Sequence, residues 1–133
     1  MTYVMTDINA SEQTIAGAAK AGELFDYSIQ RAAPFGGFGQ SFWFGPVGSD
    51  DELRVDIDME VGRASVTWLP DGRYAVELPA DQPLTVQWTV DDAPVEIPAE
   101  LVRVSTATAR RLVTDYVASG NRPAAIDWVA NPS

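Results

Sequence analysis

Leu53-Arg54-Val55-Asp56-Ile57-Asp58-Met59-Glu60 is the stretch that decides the fold. Leu53, Val55, Ile57 and Met59 alternate with Arg54, Asp56, Asp58 and Glu60, the period-two pattern of a strand with one buried and one wet face. Downstream, Ala64 to Leu69 and Tyr74 to Leu78 flank Pro70-Asp71-Gly72-Arg73. Proline pre-sets φ there and glycine accepts a positive φ, so a hairpin is predicted. Leu84, Val86, Trp88 and Val90 alternate with Thr85, Gln87 and Thr89 as a further strand, closed by Asp91-Asp92-Ala93-Pro94. An antiparallel meander of about four strands follows.

Beyond Pro98 the period changes again. Leu101 to Val104 reads as an edge strand or lead-in, and Ser105 or Thr106 as the cap of a helix. Ala109, Leu112, Val113, Tyr116 and Val117 form its apolar stripe, and Gly120 stands where a left-handed C-terminal cap belongs. Ala125 to Val129 is a last short strand before the loose tail Asn131-Pro132-Ser133. Upstream, Ser11 to Ala21 has the residue types of a helix capped by Ser11, and Leu24 to Ala33 those of a short helix stopped by Pro34. The expected fold is α+β: an antiparallel meander sheet of four to six strands, an N-terminal helix or helices, and one C-terminal amphipathic helix packed on the sheet. A chain of 133 residues with 46% hydrophobic and 21% charged residues supports one such domain spanning residues 1–133.

Composition closes off much chemistry. The chain has no Cys and no His, so disulfides, thiolate metal sites, Cys nucleophiles and the usual general base of hydrolases are excluded. Ser41 lacks a nucleophile-elbow context, and Lys20, the only lysine, lies in an Ala-rich stretch with no signature of a pocket that would depress its pKa. No cofactor, no metal and no catalytic residue are expected. The start, MTYVMTDINASEQT, carries no basic segment followed by an apolar run, which makes the cytoplasm the expected address. A net charge of -10 repels nucleic acid and anionic lipid and attracts basic proteins.

Two segments stand out as candidate contacts. Pro34 to Pro46, PFGGFGQSFWFGP, sets aromatics among glycines but has neither the Gly-Lys-Ser/Thr ending of a phosphate loop nor a dinucleotide fingerprint. Ser41 to Phe44 fits a short strand, and Trp43 is the candidate exposed anchor, whereas Trp68 and Trp88 read as core. The densest charge is Asp50, Asp51, Glu52, Asp56, Asp58 and Glu60, opposed locally only by Arg54. These residues read as a solvated strand face or as an electronegative docking face, with a metal-binding or glycosidase-like carboxylate pair as the third and least favoured reading. Reversing Asp56, Asp58 and Glu60 to Lys is then expected to slow association with little change in melting temperature.

The C-terminal third adds a resemblance. Pro98-Ala-Glu-Leu-Val, a helix ending in Tyr116-Val-Ala-Ser-Gly120, Asn121-Arg122-Pro123 and Ile126-Asp127-Trp128 resemble the ending of the first-numbered family of immunity proteins from bacterial polymorphic toxin systems. The Leu53-Arg54-Val55 strand and the following Gly62-Arg63-Ala64 strand also resemble it, so the likeness covers about residues 53–129. It implies a small cytoplasmic antitoxin, a monomer or weak dimer, that occludes one basic cognate toxin, often a nucleic-acid deaminase or nuclease. Gly120, Arg122, Pro123 and Trp128 match the family signature as fold residues, and no contact residue carries over. Two other readings compete: a small enzyme or ligand-binding domain with a pocket at Phe42 to Phe44, and a structural subunit joined through strand edges at Ser41 to Phe44 or Leu101 to Val104.

Overall fold

The computed structural model describes residues 2–31, 38–89 and 91–131. Pro34, Gly36, Gly37, Val90, Pro132 and Ser133 lie outside the described residues. In chain order the elements are β1 (Tyr3–Thr6), β2 (Glu12–Ile15), α1 (Ala18–Arg31), β3 (Gly39–Pro46), β4 (Leu53–Asp58), β5 (Arg63–Trp68), β6 (Arg73–Val76), β7 (Leu84–Gln87), β8 (Val95–Ile97), a 3₁₀ turn (Ala99–Leu101), β9 (Val104–Ser105), α2 (Thr106–Ser119) and β10 (Asp127–Val129). The fold is α+β, an open sheet with two helices. Its main path runs β10-β6-β5-β4-β3-β1-β2, antiparallel throughout.

The meander is β3 to β6, with β4 at its centre, and Leu53, Val55 and Ile57 of β4 pack with Phe42, Phe44, Ala64 and Val66 into the principal core. Both helices cover that face. Ala21 and Phe25 of α1 and Ala109, Leu112, Val113, Tyr116 and Val117 of α2 fill it, as the apolar stripe of α2 predicts. Ser105 caps α2, its side chain accepting from Thr108 N at 3.1 Å, and Gly120 closes it with φ +73 and its N–H on the Tyr116 carbonyl. A distant residue completes the cap: the Glu77 carboxylate accepts from Ser105 N at 3.0 Å and from Thr108 Oγ1 at 2.5 Å. Those bonds, led by the one from Thr108, hold Glu77 below its ordinary carboxylate range.

Three expectations are corrected. The described residues hold ten strands rather than four to six. Residues 12–15, read as the start of a helix, form β2 instead, and one helix begins at Ala18. The hairpin β1–β2 turns through Asp7, whose Oδ1 accepts from Asn9 N and Ser11 N, and through Ala10 at φ +60. That side-chain-closed turn offers the backbone an alternative to the helix that Ser11 would cap.

The third correction concerns β7. It leaves the meander, pairing in parallel with the start of β3 (Gly39 with Val86, Gln40 with Gln87) and antiparallel with β8. The resulting β7–β8 hairpin builds a second core from Leu84, Val86, Ile97 and Val102, with Val61, Trp88, Val95 and Leu101 packed against it. Trp88 reaches the face of β4 opposite the helices, where its Nε1 bonds Asp56. β9 pairs with the start of β5, and Arg63 ties the connecting segments down by donating to the carbonyls of Pro79 and Val102.

Candidate partner interface

The acidic run does not form one wet face, because the fold divides it into three parts. Asp56 is fully buried. Its Oδ1 accepts from Ser41 Oγ at 2.5 Å and Trp88 Nε1 at 3.0 Å, and its Oδ2 from Arg54 Nε at 3.0 Å. Arg54, only 20% exposed, also lies 5.1 Å from the Trp88 ring centroid. The expectation of a solvated Asp56 is therefore corrected: the β7–β8 hairpin covers the wet side of β4 at its middle. Reversing Asp56 would place a cation against Arg54 and unfold that contact, so the charge-reversal test must leave it alone.

Asp50 and Asp51 are exposed at the start of β4, beyond the turn that ends β3. Glu52 N donates to the Phe44 carbonyl at 2.8 Å, and Ser49 N to the Pro46 carbonyl at 3.1 Å. Gly45 permits this close return, since a Cβ there would stand 2.7 Å from the Asp50 carbonyl oxygen. With Pro46, Ser49, Glu52, Leu69 and Pro70 the two aspartates line a depression of about 490 Å³. Partial desolvation, then Glu12 on β2 and Asp50, push Asp51 above its ordinary carboxylate range. Glu52 is committed inward, accepting from Tyr116 OH at 2.7 Å.

Asp51 gives a pH prediction. A carboxyl whose folded pKa is raised favours folding when protonated, so its contribution is full below its ordinary value of 3.8 and is lost as pH rises through the raised value. Asp51→Asn is expected to melt higher than the parent at pH 7 and to lose that advantage near pH 3.5. Thermal melts of both proteins across this range check it, and equal melting temperatures at pH 7 would show that neither the desolvation nor the neighbouring charges are felt.

At the far end of β4, about 20 Å away for a six-residue strand, lie Asp58 and Glu60. The strand stops at Asp58, whose Oδ1 accepts from Glu60 N and Val61 N while its carbonyl accepts from Gly62 N. Met59, expected inward, is instead 55% exposed on this turn. Beside it a groove of about 550 Å³ is lined by Asp26, Ile29 and Gln30 of α1, by Phe38, Gly39 and Gln40, and by Ile57 to Glu60. A pocket at Phe42 to Phe44 is not what forms: Phe42 and Phe44 are fully buried in the helix-side core.

Trp43 is half-buried on the opposite face, paired across strands with Arg54 and with Thr6. Trp68 packs against the core, edge-on to Tyr116 and Trp128, and Trp88 is half-buried over Asp56. Around β10, Trp128 Nε1 donates to the carbonyl of the buried Pro123 at 2.8 Å. Arg122 spans Asp71 Oδ2 at 3.1 Å and the Trp128 ring at 5.5 Å. Gly120, Arg122, Pro123 and Trp128 thus tie the end of α2 to the β5–β6 turn and to β10.

Comparisons with protein-family models, with curated proteins and with solved structures give no match for this chain. Among the described residues no three carboxylates are grouped to hold a metal ion, and no helix is long and apolar enough to cross a membrane.

Proposed function

We propose that this chain is an antitoxin of the immunity type, which binds and occludes a basic toxin acting on nucleic acid. The observation that carries the reading is the gathering of the exposed carboxylates of Glu12, Asp50 and Asp51 at one rim, beside the depression that Asp50 and Asp51 line with Pro70. Like charges held together at a surface are relieved by an incoming cation, and in a field of this sign they speed encounter with a basic protein. The net charge of -10, the absence of Cys and His, and the likeness of Gly120, Arg122, Pro123 and Trp128 to the immunity signature support it. On this reading the chain acts in the cytoplasm by shape and charge, without turnover. Trp43, Asp58 and Glu60 are further contact candidates on other parts of the surface.

The test is co-expression with the product of the adjacent gene. A toxic basic product neutralised in a stoichiometric complex is expected. Asp50→Lys with Asp51→Lys should then slow association about tenfold at low salt, with the effect fading as salt is added. A neighbouring product that is harmless alone, or an unchanged association rate, would count against the reading.

A second reading, a small-ligand site on the glycine-aromatic segment, is favoured by the groove at Phe38 to Gln40. Titration with small-molecule libraries monitored by melting temperature tests it.

A further inference from the structure

We infer that the groove between α1 and the end of β4 receives an arginine side chain from a short basic segment of a protein partner. The inference rests on the proposed reading of the chain as a binder of basic protein and assigns that partner a second contact, at the opposite end of β4 from Asp50 and Asp51. Three independent features of the groove specify the guest.

The first is an unsatisfied acceptor. Gln40 is only 5% exposed and lines the groove; its Nε2 donates to the Ile29 carbonyl at 2.8 Å, and its Oε1 has no hydrogen-bond partner. A buried amide oxygen without a donor is uncommon in a folded protein, and a guest that brings an N–H completes it.

The second is charge. Three carboxylates line the groove, but Asp26 is already engaged, both its oxygens lying 3.0 Å from Arg110 Nε. Asp58 and Glu60 remain, and among the described residues neither enters an ion pair. The last turns of α1 supply Ile29 and Gln30 to the same wall, and the negative end of a helix dipole adds to the attraction for a cation.

The third is apolar surface of the wrong kind for a free solvated rim. Met59 is 55% exposed and Phe38 37% exposed, with Ile29 and Ile57 beside them. A long aliphatic stem lies well along such walls, and a guanidinium stacks on the Phe38 ring. Arginine joins these requirements, because its planar fork spreads five N–H groups over three nitrogens and can span Gln40 Oε1 and a carboxylate, where the three N–H groups of an ammonium radiate from a single nitrogen. The volume of about 550 Å³ exceeds one side chain and leaves room for the flanking residues of a peptide.

The experiment titrates the ¹⁵N-labelled full chain with N-acetyl-arginine amide, with N-acetyl-lysine amide and N-acetyl-norleucine amide as probes of charge shape and of apolar fit. Saturable shifts at the Gln40 side-chain amide and at the backbone of Ile57 to Glu60 are expected. The lysine probe should bind at least fivefold more weakly, and norleucine should not saturate. Gln40→Met, which removes the orphan acceptor, should weaken the arginine probe about tenfold; Glu60→Gln, on the exposed turn, gives the same reading if Gln40→Met fails to fold. Absence of shifts at these positions, or equal binding of norleucine, overturns the inference while leaving the toxin reading intact. Once the partner is in hand, Glu60→Gln and Gln40→Met should each speed its dissociation, and unchanged dissociation by both overturns the groove as a partner contact. A failed partner search with a saturable, arginine-selective groove would instead sink the toxin reading alone.

Discussion

Replacing Asp56 with alanine is expected to destabilise the protein by about 3 kcal/mol, or about 10 °C in melting temperature for a domain of this size. The substitution leaves Arg54 without its counter-ion, and Trp88 Nε1 and Ser41 Oγ without their acceptor, in a region otherwise closed to water. Removing one partner of a buried pair costs more than the pair contributes, since the remaining charge keeps its desolvation penalty. The lower end of the usual range applies because Arg54 is 20% exposed and is able to turn toward solvent. Ser65 Oγ, buried on β5 opposite Asp56, lacks a partner, and its hydroxyl offsets at most part of that loss because it cannot supply the charge that Arg54 needs. The loss should be felt first in the β7–β8 hairpin, which Trp88 anchors. Hydrogen exchange at Leu84 to Gln87 is expected to accelerate more than exchange at Val55 to Ile57. A melting temperature within about 3 °C of the parent would show that the network contributes little.

Asp56 also marks where the sequence stops being informative. The alternation of Leu53 to Asp58 correctly assigns Leu53, Val55 and Ile57 to the helix side and Arg54, Asp56 and Asp58 to the other. Periodicity separates two faces, yet it does not say what covers the second one. That cover comes from β7, which joins β3 across some forty residues of chain, and no local pattern records a pairing of that range. The same limit hides Glu77, which supplies to the cap of α2 a carboxylate that a capping box would place within the first turn. Local signals fared better. Ser105, Gly120 and the Pro70 to Arg73 turn act as their residue types require, Gly72 taking φ +73. The β1–β2 hairpin lay between: burial of Tyr3, Met5 and Ile15 gives a short alternation, and Asp7 to Asn9 is a turn signal, but the helix-forming residues after Ser11 compete with both. The acidic candidates follow the same division. Asp50 and Asp51 sit at the surface as loop residues do, while Glu52 and Asp56 are drawn inward by Tyr116 and Arg54, partners the sequence places far away or on the same strand with no hint of enclosure.

Tyr116 is the residue at which the larger core meets the acidic rim, and its removal should have the greatest effect. Fully buried on α2, it stands edge-on to Tyr3 at 5.2 Å and to Trp68 at 5.6 Å, and its hydroxyl donates to Glu52. Tyr116→Ala deletes a ring from a packed core and is expected to cost about 4 kcal/mol, a large part of the total stability of a domain. Tyr116→Phe separates the two contributions. It keeps the ring contacts and removes one hydrogen bond to a charged group, for an expected loss of about 1.5 kcal/mol, because the half-buried Glu52 regains water. Alkaline pH then distinguishes the hydroxyl from the ring. Burial first, and the bond to Glu52 second, push the Tyr116 phenol well above its ordinary value of 10.0. A raised pKa gives stability that is complete below that value and is lost as pH climbs past it, since the unfolded phenol ionises there and the folded one does not. The parent should therefore lose stability above pH 10 more steeply than Tyr116→Phe, which has no phenol to ionise at this position. Parallel pH dependences of the two proteins between pH 9 and 11 would mean that Tyr116 does not hold its proton in the fold, and the account of Glu52 as an inward-facing, structural carboxylate would fail with it.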